Sequence, residues 1–223
     1  TVILRQREEA FQRVLTEARR GELSAGSCAI LKERWEEHNW RAGKIRPTLL
    51  FPRRAEVDAI NDANFRSLLG RKEVYEAKLV VSGKAPIGFD MKGEAFLRAV
   101  QHFDSDAPYV SELALVEEAQ VMLIANMEPE AGLVNGSRGV ILGFCPATGN
   151  PIVEFMNGRR DVIGRHTWPI EDYPFVSRTQ IPLRLAYAFT IHKSQGSSVD
   201  CALVDIGSGN FEFGQAYVAL SRV

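Results

Sequence analysis

The sequence predicts an α/β domain that is interrupted by a small all-β barrel. Residues 46–70 are ordered as a strand, a turn and a helix, which is typical of layered α/β domains. Residues 121–174 form short strand-like runs that are separated by turn signals. A strand pattern, "CALVDIG", and a helix pattern, "GQAYVALSRV", follow that region. Because α/β patterns flank a β-rich stretch on both sides, we interpret the β-rich stretch as an insertion.

These observations divide the chain into three predicted segments. Residues 1–120 form the first part of the α/β domain, residues 121–174 form the inserted barrel, and residues 175–223 form the last part of the α/β domain. The chain has no initiator methionine, and its last residues continue a helical pattern. We therefore expect it to be a segment of a longer protein.

Composition and charge narrow the class of protein. Hydrophobic residues make up 45% and charged residues 25% of the 223 residues, as in ordinary globular proteins. The net charge of −1 means that binding to a polyanion needs a local basic face. The longest apolar runs, such as residues 121–125, are too short to span a bilayer, so we predict no membrane partner. The three cysteines lack C-x-x-C spacing, which favours reduced intracellular thiols over a disulfide or zinc framework.

The N-terminal part of the chain is predicted to contain two helices. A short apolar run ends at Arg5 and Gln6. An apolar stripe with helical spacing then runs from Phe11 to Ala18 and is closed by Gly21. The stretch "SCAILKERWEEHNW" predicts a second helix, with Ser27 placed to cap it.

The middle of the chain begins with a strand over Thr48–Phe51, which Pro52 blocks from continuing. A helix whose apolar face includes Val57 follows and stops at Gly70. Residues 83–109 show no clear period, and we treat them as a loop with one short helix at "GEAFLRAVQHF".

The predicted barrel carries two strong turn signals. Asn-Gly pairs occur at residues 135–136 and again at residues 157–158, and Asn-Gly is a strong short-range cue for a β-hairpin. Both lie between short runs of apolar residues, so we predict a hairpin at each.

The stretch "HKSQGSS" is the first candidate functional site. It lacks the G-x-x-x-x-G-K-[ST] order of a phosphate loop, which occurs nowhere in the chain. Lys193 can neutralise a backbone phosphate, His192 can stack on a base, and Thr190 offers a further donor. Gly196 allows main chain to approach a ligand closely. The alternative interpretation is an ordinary polar turn.

Arginines form the other candidates. Arg222 follows small residues in a helical pattern, and a guanidinium suits the charge on a transferring phosphoryl group. Arg5 lies at a predicted strand end, and Arg53 and Arg54 follow another strand end beside an aromatic residue. Taken singly, each of these arginines is explained at least as well as a solvated surface residue.

Five stretches in one order are more specific than any of them alone. They are "LRQ", "TLLFPRRAEVDAIN", "LVNGSRG", "TIHKSQG" and "AYVALSR". Together they resemble the petite-integration-frequency (Pif) type of superfamily-one DNA helicases, relatives of the RecD-type helicases. The resemblance covers nearly the whole chain and is weakest between residues 83 and 109.

The resemblance implies a fold with two domains that have different roles. Such helicases have two RecA-like domains with ATP and Mg²⁺ at their interface, held mainly by the first. The second domain supplies arginines and carries an inserted SH3-like barrel. This chain resembles the second RecA-like domain with that barrel, so its partner would be an absent N-terminal RecA-like domain. We expect the chain alone to be inactive because it has no phosphate loop.

The resemblance also implies roles for individual residues. Arg5 and Arg222 would be arginine fingers that face the γ-phosphate. Gln6, Gln195 and Gly196 would lie near the nucleotide. The residues implied to contact single-stranded DNA are Thr190, His192, Lys193 and, less directly, Arg53 and Arg54. No metal ligand is implied in this chain.

The implied activity is ATP-driven 5′ to 3′ translocation on single-stranded DNA and unwinding of forked or structured DNA. Family members of this kind act in DNA repair, recombination and telomere maintenance. The compartment implied is the nucleus or mitochondrion in a eukaryote and the cytoplasm in a bacterium or virus. The alternatives are a RecD- or Dda-like helicase and a degenerate module that binds nucleic acid without catalysis.

Overall fold

The computed structural model describes residues 8–37, 45–83, 85–86, 88–195, 199, 201–205 and 214–222. The helices in this part of the chain are α1 (Glu9–Arg20), α2 (Ala25–Glu37), α3 (Arg54–Ser67), α4 (Glu94–Asp106) and α5 (Gln215–Leu220). The strands are β1 (Thr48–Phe51), β2 (Lys72–Glu76), β3 (Lys78–Val81), β4 (Glu112–Val116), β5 (Gln120–Leu123), β6 (Arg138–Phe144), β7 (Pro151–Phe155), β8 (Arg160–Val162), β9 (His166–Ile170), β10 (Tyr173–Gln180), β11 (Leu183–Leu185), β12 (Ala188–Thr190) and β13 (Ala202–Val204). Two short 3-10 turns span Pro129–Ala131 and His192–Ser194.

The chain divides into two compact units. The first unit combines Thr1–Asn64 with Ala186–Val223, and the second unit is Phe65–Leu185. The predicted barrel, residues 121–174, lies inside the second unit, which is wider on both sides. The second unit is wider because it also contains strands that lie outside residues 121–174. In this unit β2 pairs with β4, β3 with β10, and β11 with β5. The residues of one strand do not show which distant strand it pairs with.

The first unit contains a parallel sheet in the order β12-β1-β13. Leu49 of β1 lies opposite Ala188 of β12 and opposite Leu203 of β13. The predicted strand over Thr48–Phe51 is confirmed. Since β1 is flanked on both sides, Leu50 is fully buried.

Helix α1 confirms the predicted apolar stripe. Phe11, Val14 and Leu15 are buried and pack against Leu220 of α5. Gly21 ends the helix in the left-handed conformation, with φ 78°, and its N–H donates to the carbonyl of Ala18. A glycine here avoids the steric cost that a Cβ incurs at positive φ.

The predicted cap of α2 was wrong by three residues. Ser27 lies inside the helix and is buried, whereas Ser24 precedes the first helical residue. The hydroxyl of Ser24 accepts a hydrogen bond from the Ser27 N–H at 3.2 Å, which is the role of a capping residue. Glu17 in turn accepts from the Ser24 N–H at 2.8 Å and so fixes that turn against α1.

The second unit contains an antiparallel sheet in the order β11-β5-β6-β7-β8. Its core includes the fully buried Leu115, Leu123 and Val153. The predicted hairpin at residues 157–158 is confirmed, because β7 pairs with β8 across that turn. The prediction at residues 135–136 holds in part. A turn forms there and β5 pairs with β6 as an antiparallel neighbour, but residues 124–137, which include a 3-10 turn, separate the two strands in place of a two-residue loop.

Residues 83–109 contain more regular structure than their sequence indicated. The short predicted helix is α4, whose 13 residues bury Phe96 and Val100. Phe96 packs edge-on against Phe89 and Tyr173, with ring centroids 5.1 and 5.0 Å apart. Aromatic contacts of this kind come from three separate segments, so periodicity within one window does not show them.

A buried amide joins three segments of the second unit. The Gln180 side chain donates to the carbonyls of Tyr75 and Val110 at 2.8 and 3.1 Å, and its oxygen accepts from the Ile181 N–H at 2.9 Å. Gln180 is fully buried, and these bonds satisfy backbone groups that would otherwise be costly to bury.

None of the described helices has the length and apolar character that crossing a bilayer requires.

Tyr75 is expected to make stability depend on pH above neutrality. Its hydroxyl donates to the carbonyl of Gly149 at 2.6 Å, and burial, aided by the charge of Glu73, raises the pKa of Tyr75 to about 12. In the unfolded chain the phenol ionises at about pH 10. This stabilisation is therefore complete below about pH 10 and is lost as the pH rises through the folded-state value.

We expect Tyr75→Phe to lower the free energy of unfolding at pH 7 by about 1 kcal/mol, through loss of one hydrogen bond. The difference between wild type and variant should shrink as the pH rises from 10 to 12. Urea denaturation at several pH values measures both quantities. A constant difference over that range would contradict the buried, proton-donating phenol.

Candidate functional site

The candidate site lies at one edge of the parallel sheet. Strands β1 and β12 are parallel, and they end at Phe51 and Thr190, which lie opposite each other. The segments that follow these ends, residues 52–54 and 191–195, therefore leave the sheet at the same edge. In open α/β sheets, ligands bind at the carboxyl ends of the strands. The structure thus brings together two of the stretches that the sequence singled out.

The first of these stretches forms a compact 3-10 turn. The N–H of Ile191 donates to the carbonyl of Phe51 at 2.9 Å, which extends the sheet by one residue. The buried Ser194 hydroxyl then donates to the carbonyl of Ile191 at 2.7 Å, and the Lys193 N–H donates to the Thr190 hydroxyl at 3.2 Å. Ser194 and Thr190 are thus engaged in shaping the turn.

The exposed side chains of this turn are the ones that can bind a ligand. His192, Lys193 and Gln195 are all exposed, whereas Ile191 and Ser194 are buried. The buried pair anchors the turn, and the exposed residues present an imidazole, an ammonium and an amide to solvent. An ordinary polar loop does not require this pattern. Here hydrogen bonds hold Ile191 and Ser194 in place, and the side chains between and after them are exposed.

Arg53 and Arg54 follow the end of β1 at the same edge of the sheet. Both are exposed, and Arg54 begins α3. Arg54 also forms an ion pair with Asp58 one helical turn later, with Nε and the carboxylate oxygen 3.3 Å apart. An exposed pair of this kind is weak, so a stronger anion can displace it.

Arg222 follows the last residue of α5 by two positions. Its Nε donates to the carbonyl of Val218 at 3.0 Å, and its Nη2 donates to the hydroxyl of Ser221 at 2.8 Å. The guanidinium therefore satisfies a carbonyl at the C-terminal end of its own helix, where cations are favoured.

The two motifs "TIHKSQG" and "AYVALSR" meet in space. Helix α5 contacts the His192–Ser194 turn. The buried Val199, a few residues after that turn, donates its N–H to the carbonyl of Arg222 at 2.9 Å. The main-chain carbonyl of Arg222 is therefore bonded to a residue five positions after the His192–Ser194 turn.

Three predicted site residues lie outside the described residues: Arg5, Gln6 and Gly196. Within the described residues there is no group of three or more His, Cys, Asp and Glu side chains that could hold a metal ion. The cations of the site, Arg53, Lys193 and Arg222, suit phosphate oxygens.

One residue at this site escaped the sequence analysis. Asn61 of α3 forms two hydrogen bonds with the backbone of Ala188 in β12. The sequence gives two signals: Asn61 is the last residue of the stretch "TLLFPRRAEVDAIN", and it lies four residues after the buried Val57, on a helix face where an apolar residue is expected.

Comparison with known proteins finds similarity to Pif1 DNA helicases, both by a family model and by individual relatives. Residues 108–144 match the family model described as the DNA helicase Pif1, 2B domain. The ATP-dependent DNA helicase PIF1 of Xenopus laevis is 34% identical over 100% of this chain, which covers 33% of that protein. The chain thus spans about a third of the length of this curated relative.

Solved structures of Pif1 helicases align with the whole length of this chain. Pif1 of Bacteroides sp in complex with ADP-AlF4 has a TM-score of 0.71 and 27% identity, and the match covers 100% of this chain and 48% of that one. Bacteroides Pif1 in complex with ADP-AlF3 and single-stranded DNA has a TM-score of 0.56 at 27% identity, with the same coverage.

Proposed function

The chain is a member of the Pif1-type helicases in sequence and in fold, and from this premise we propose that it forms the second motor domain of an ATP-dependent DNA helicase. The observation that carries the proposal is the junction of α5 with the His192–Ser194 turn, because it connects an arginine suited to phosphate with residues suited to a nucleic-acid strand.

We infer that the first unit is a RecA-like domain and that the second contains an SH3-like barrel. The parallel sheet β12-β1-β13 and the antiparallel sheet β11-β5-β6-β7-β8 support these two assignments. The match of residues 108–144 to a 2B-domain model supports the second. The proposed limits of the insertion remain residues 121–174.

ATP and Mg²⁺ are held mainly by another RecA-like domain in this proposal, since the chain has no phosphate loop. Arg222 and Arg5 face the γ-phosphate, where a guanidinium stabilises the charge of the transferring group. Arg222 exchanges its hydrogen bond to Val218 for one to phosphate. Gln6, Gln195 and Gly196 lie near the nucleotide and transmit its state to the strand.

The DNA strand lies across the carboxyl edge of the parallel sheet. Lys193, Arg53 and Arg54 neutralise phosphates, Thr190 donates a hydrogen bond, and His192 stacks on a base or bonds to it. Because Val199 connects the segment after the turn to Arg222, closure around ATP changes the grip on the strand. Repeated closure and opening moves the protein in the 5′ to 3′ direction and unwinds forked or structured DNA.

The test is an unwinding assay of the full-length protein on duplexes with a single-stranded tail at either the 5′ or the 3′ end. We expect ATP-dependent unwinding of the 5′-tailed duplex and little of the 3′-tailed one. Binding of DNA without ATP turnover would instead support a degenerate binding module, and unwinding of the 3′-tailed duplex alone would contradict the assigned direction.

Lys193 provides a sharper prediction for DNA binding. Lys193→Ala should weaken binding to single-stranded DNA and reduce the slope of log K against log salt by about 0.7, the value for one lost phosphate contact. Fluorescence anisotropy with a labelled oligothymidylate at several salt concentrations measures the slope.

The matched control for Lys193 is Lys32→Ala. Lys32 is an exposed lysine of α2 whose Nζ lies 3.7 Å from a carboxylate oxygen of Glu36. Its replacement removes the same charge from another surface and should leave the slope unchanged. Equal slopes for Lys193→Ala and wild type would remove Lys193 from the DNA interface.

A further inference from the structure

The outer edge of β12 exposes backbone groups that need a partner. Leu49 of β1 lies opposite Ala188, and the Leu49 N–H donates to the carbonyl of Tyr187 at 2.9 Å. In a parallel ladder of this register the N–H and carbonyl of Ala188 itself point away from β1. Among the described residues, no strand pairs with β12 on that side.

The side chain of Asn61 occupies this position and bonds in both directions. Its Nδ2 donates to the carbonyl of Ala188 at 2.9 Å, and its Oδ1 accepts from the Ala188 N–H at 3.1 Å. A primary amide carries a donor and an acceptor on one planar group, as a neighbouring strand does. Leucine offers neither group, and an ionised aspartate offers only the acceptor.

This contact joins the two segments assigned to DNA. Helix α3, which carries Asn61, begins at Arg54, three positions after the last residue of β1. Strand β12 reaches Thr190 two residues after Ala188, and the His192–Ser194 turn follows at once. On its first side, β12 pairs with β1. Asn61 therefore fixes the strand from its second side, at the point where it leads into the turn.

We propose that Asn61 is a positioning residue that sets the orientation of the His192–Ser194 turn on single-stranded DNA by completing the open edge of β12. This inference rests on the proposed function of the turn. Asn61 itself contacts no DNA; it acts through Ala188 and the short strand that ends at Thr190. Loss of the amide leaves two backbone groups without their partner and lets the end of β12 move.

The experiment measures binding of the full-length Asn61→Leu variant to a labelled oligothymidylate by fluorescence anisotropy. We expect affinity to fall about tenfold at equal folded fraction, which circular dichroism verifies. The matched control is Asn64→Leu, since Asn64 lies one turn along α3 and its amide donates to Ile60 of the same helix.

A double-mutant cycle separates positioning from a general loss of stability. If Asn61 acts through the turn, Asn61→Leu should weaken binding much less in the presence of Lys193→Ala than alone. Fully additive effects, or unchanged affinity of Asn61→Leu, would overturn the proposal. If Lys193→Ala itself binds like wild type, the proposed DNA interface fails instead, so the two failures are distinguishable.

Asn61→Asp provides a second variant if the leucine variant does not fold. The carboxylate still accepts from the Ala188 N–H but places an acceptor oxygen against the Ala188 carbonyl, so we expect a loss of affinity of at least about threefold. Asn64→Asp places the same charge one helical turn away and controls for repulsion of DNA. Equal affinities of the two aspartate variants would count against a role of the Asn61 amide.

Discussion

Replacement of Arg222 by alanine should reduce ATP turnover of the full-length protein about 10³-fold, the usual effect of removing an arginine finger. The guanidinium is the group that we assign to the transition-state charge, and alanine leaves that charge without compensation. Binding of single-stranded DNA should stay within a few-fold of wild type, because the exposed His192 and Lys193 remain. Steady-state ATP hydrolysis and anisotropy measure the two quantities on the same protein.

Two control variants show whether the loss of ATP turnover comes from removal of the guanidinium itself. Ser221→Ala removes the hydroxyl that accepts from Arg222 Nη2 at 2.8 Å but keeps the guanidinium, and it should change turnover by a few-fold at most. Arg222→Lys keeps the charge without the fork of donors and should recover only part of the rate. Wild-type turnover in Arg222→Ala would refute the assignment of this residue to the nucleotide.

The second large effect is on stability and concerns Gly139 of β6. A Cβ at this position would lie 2.5 Å from Cγ1 of Val153 and 2.7 Å from the carbonyl oxygen of Glu154. Val153 is fully buried on the neighbouring strand, so neither atom can move without disturbing the ladder between β6 and β7. We expect Gly139→Ala to lower the free energy of unfolding of the second unit by about 3 kcal/mol.

Gly164→Ala is the matched control for this overpacking. The nearest atom to a Cβ there is Nδ2 of Asn150, at 4.0 Å, so the added methyl meets ordinary contact and stability should change by less than about 0.5 kcal/mol. Chemical denaturation followed by circular dichroism compares the two variants. A Gly139→Ala protein as stable as Gly164→Ala would mean that β6 and β7 are packed less closely than described.

The elements that sequence analysis placed correctly are those with a local cause. Helix α1 follows from the spacing of Phe11, Val14 and Leu15, and strand β1 from an apolar run that Pro52 ends. The turn at residues 157–158 follows from Asn-Gly. The family resemblance, confirmed along the whole chain, likewise depended on motifs that are contiguous in sequence. The roles of all the site residues remain predictions, and Arg5, Gln6 and Gly196 also lie outside the described residues.

The sequence by itself determined the chemistry available to this protein: the helices and strands that have a local cause, the cations that follow them, and the lack of a phosphate-loop motif in this chain. Only the tertiary structure decided which of these groups meet. The pairing of β2 with β4, the limits of the second unit and the bond between Asn61 and Ala188 all join residues far apart along the chain. Such contacts depend on packing and on satisfying backbone groups at a sheet edge, which no window of neighbouring residues specifies.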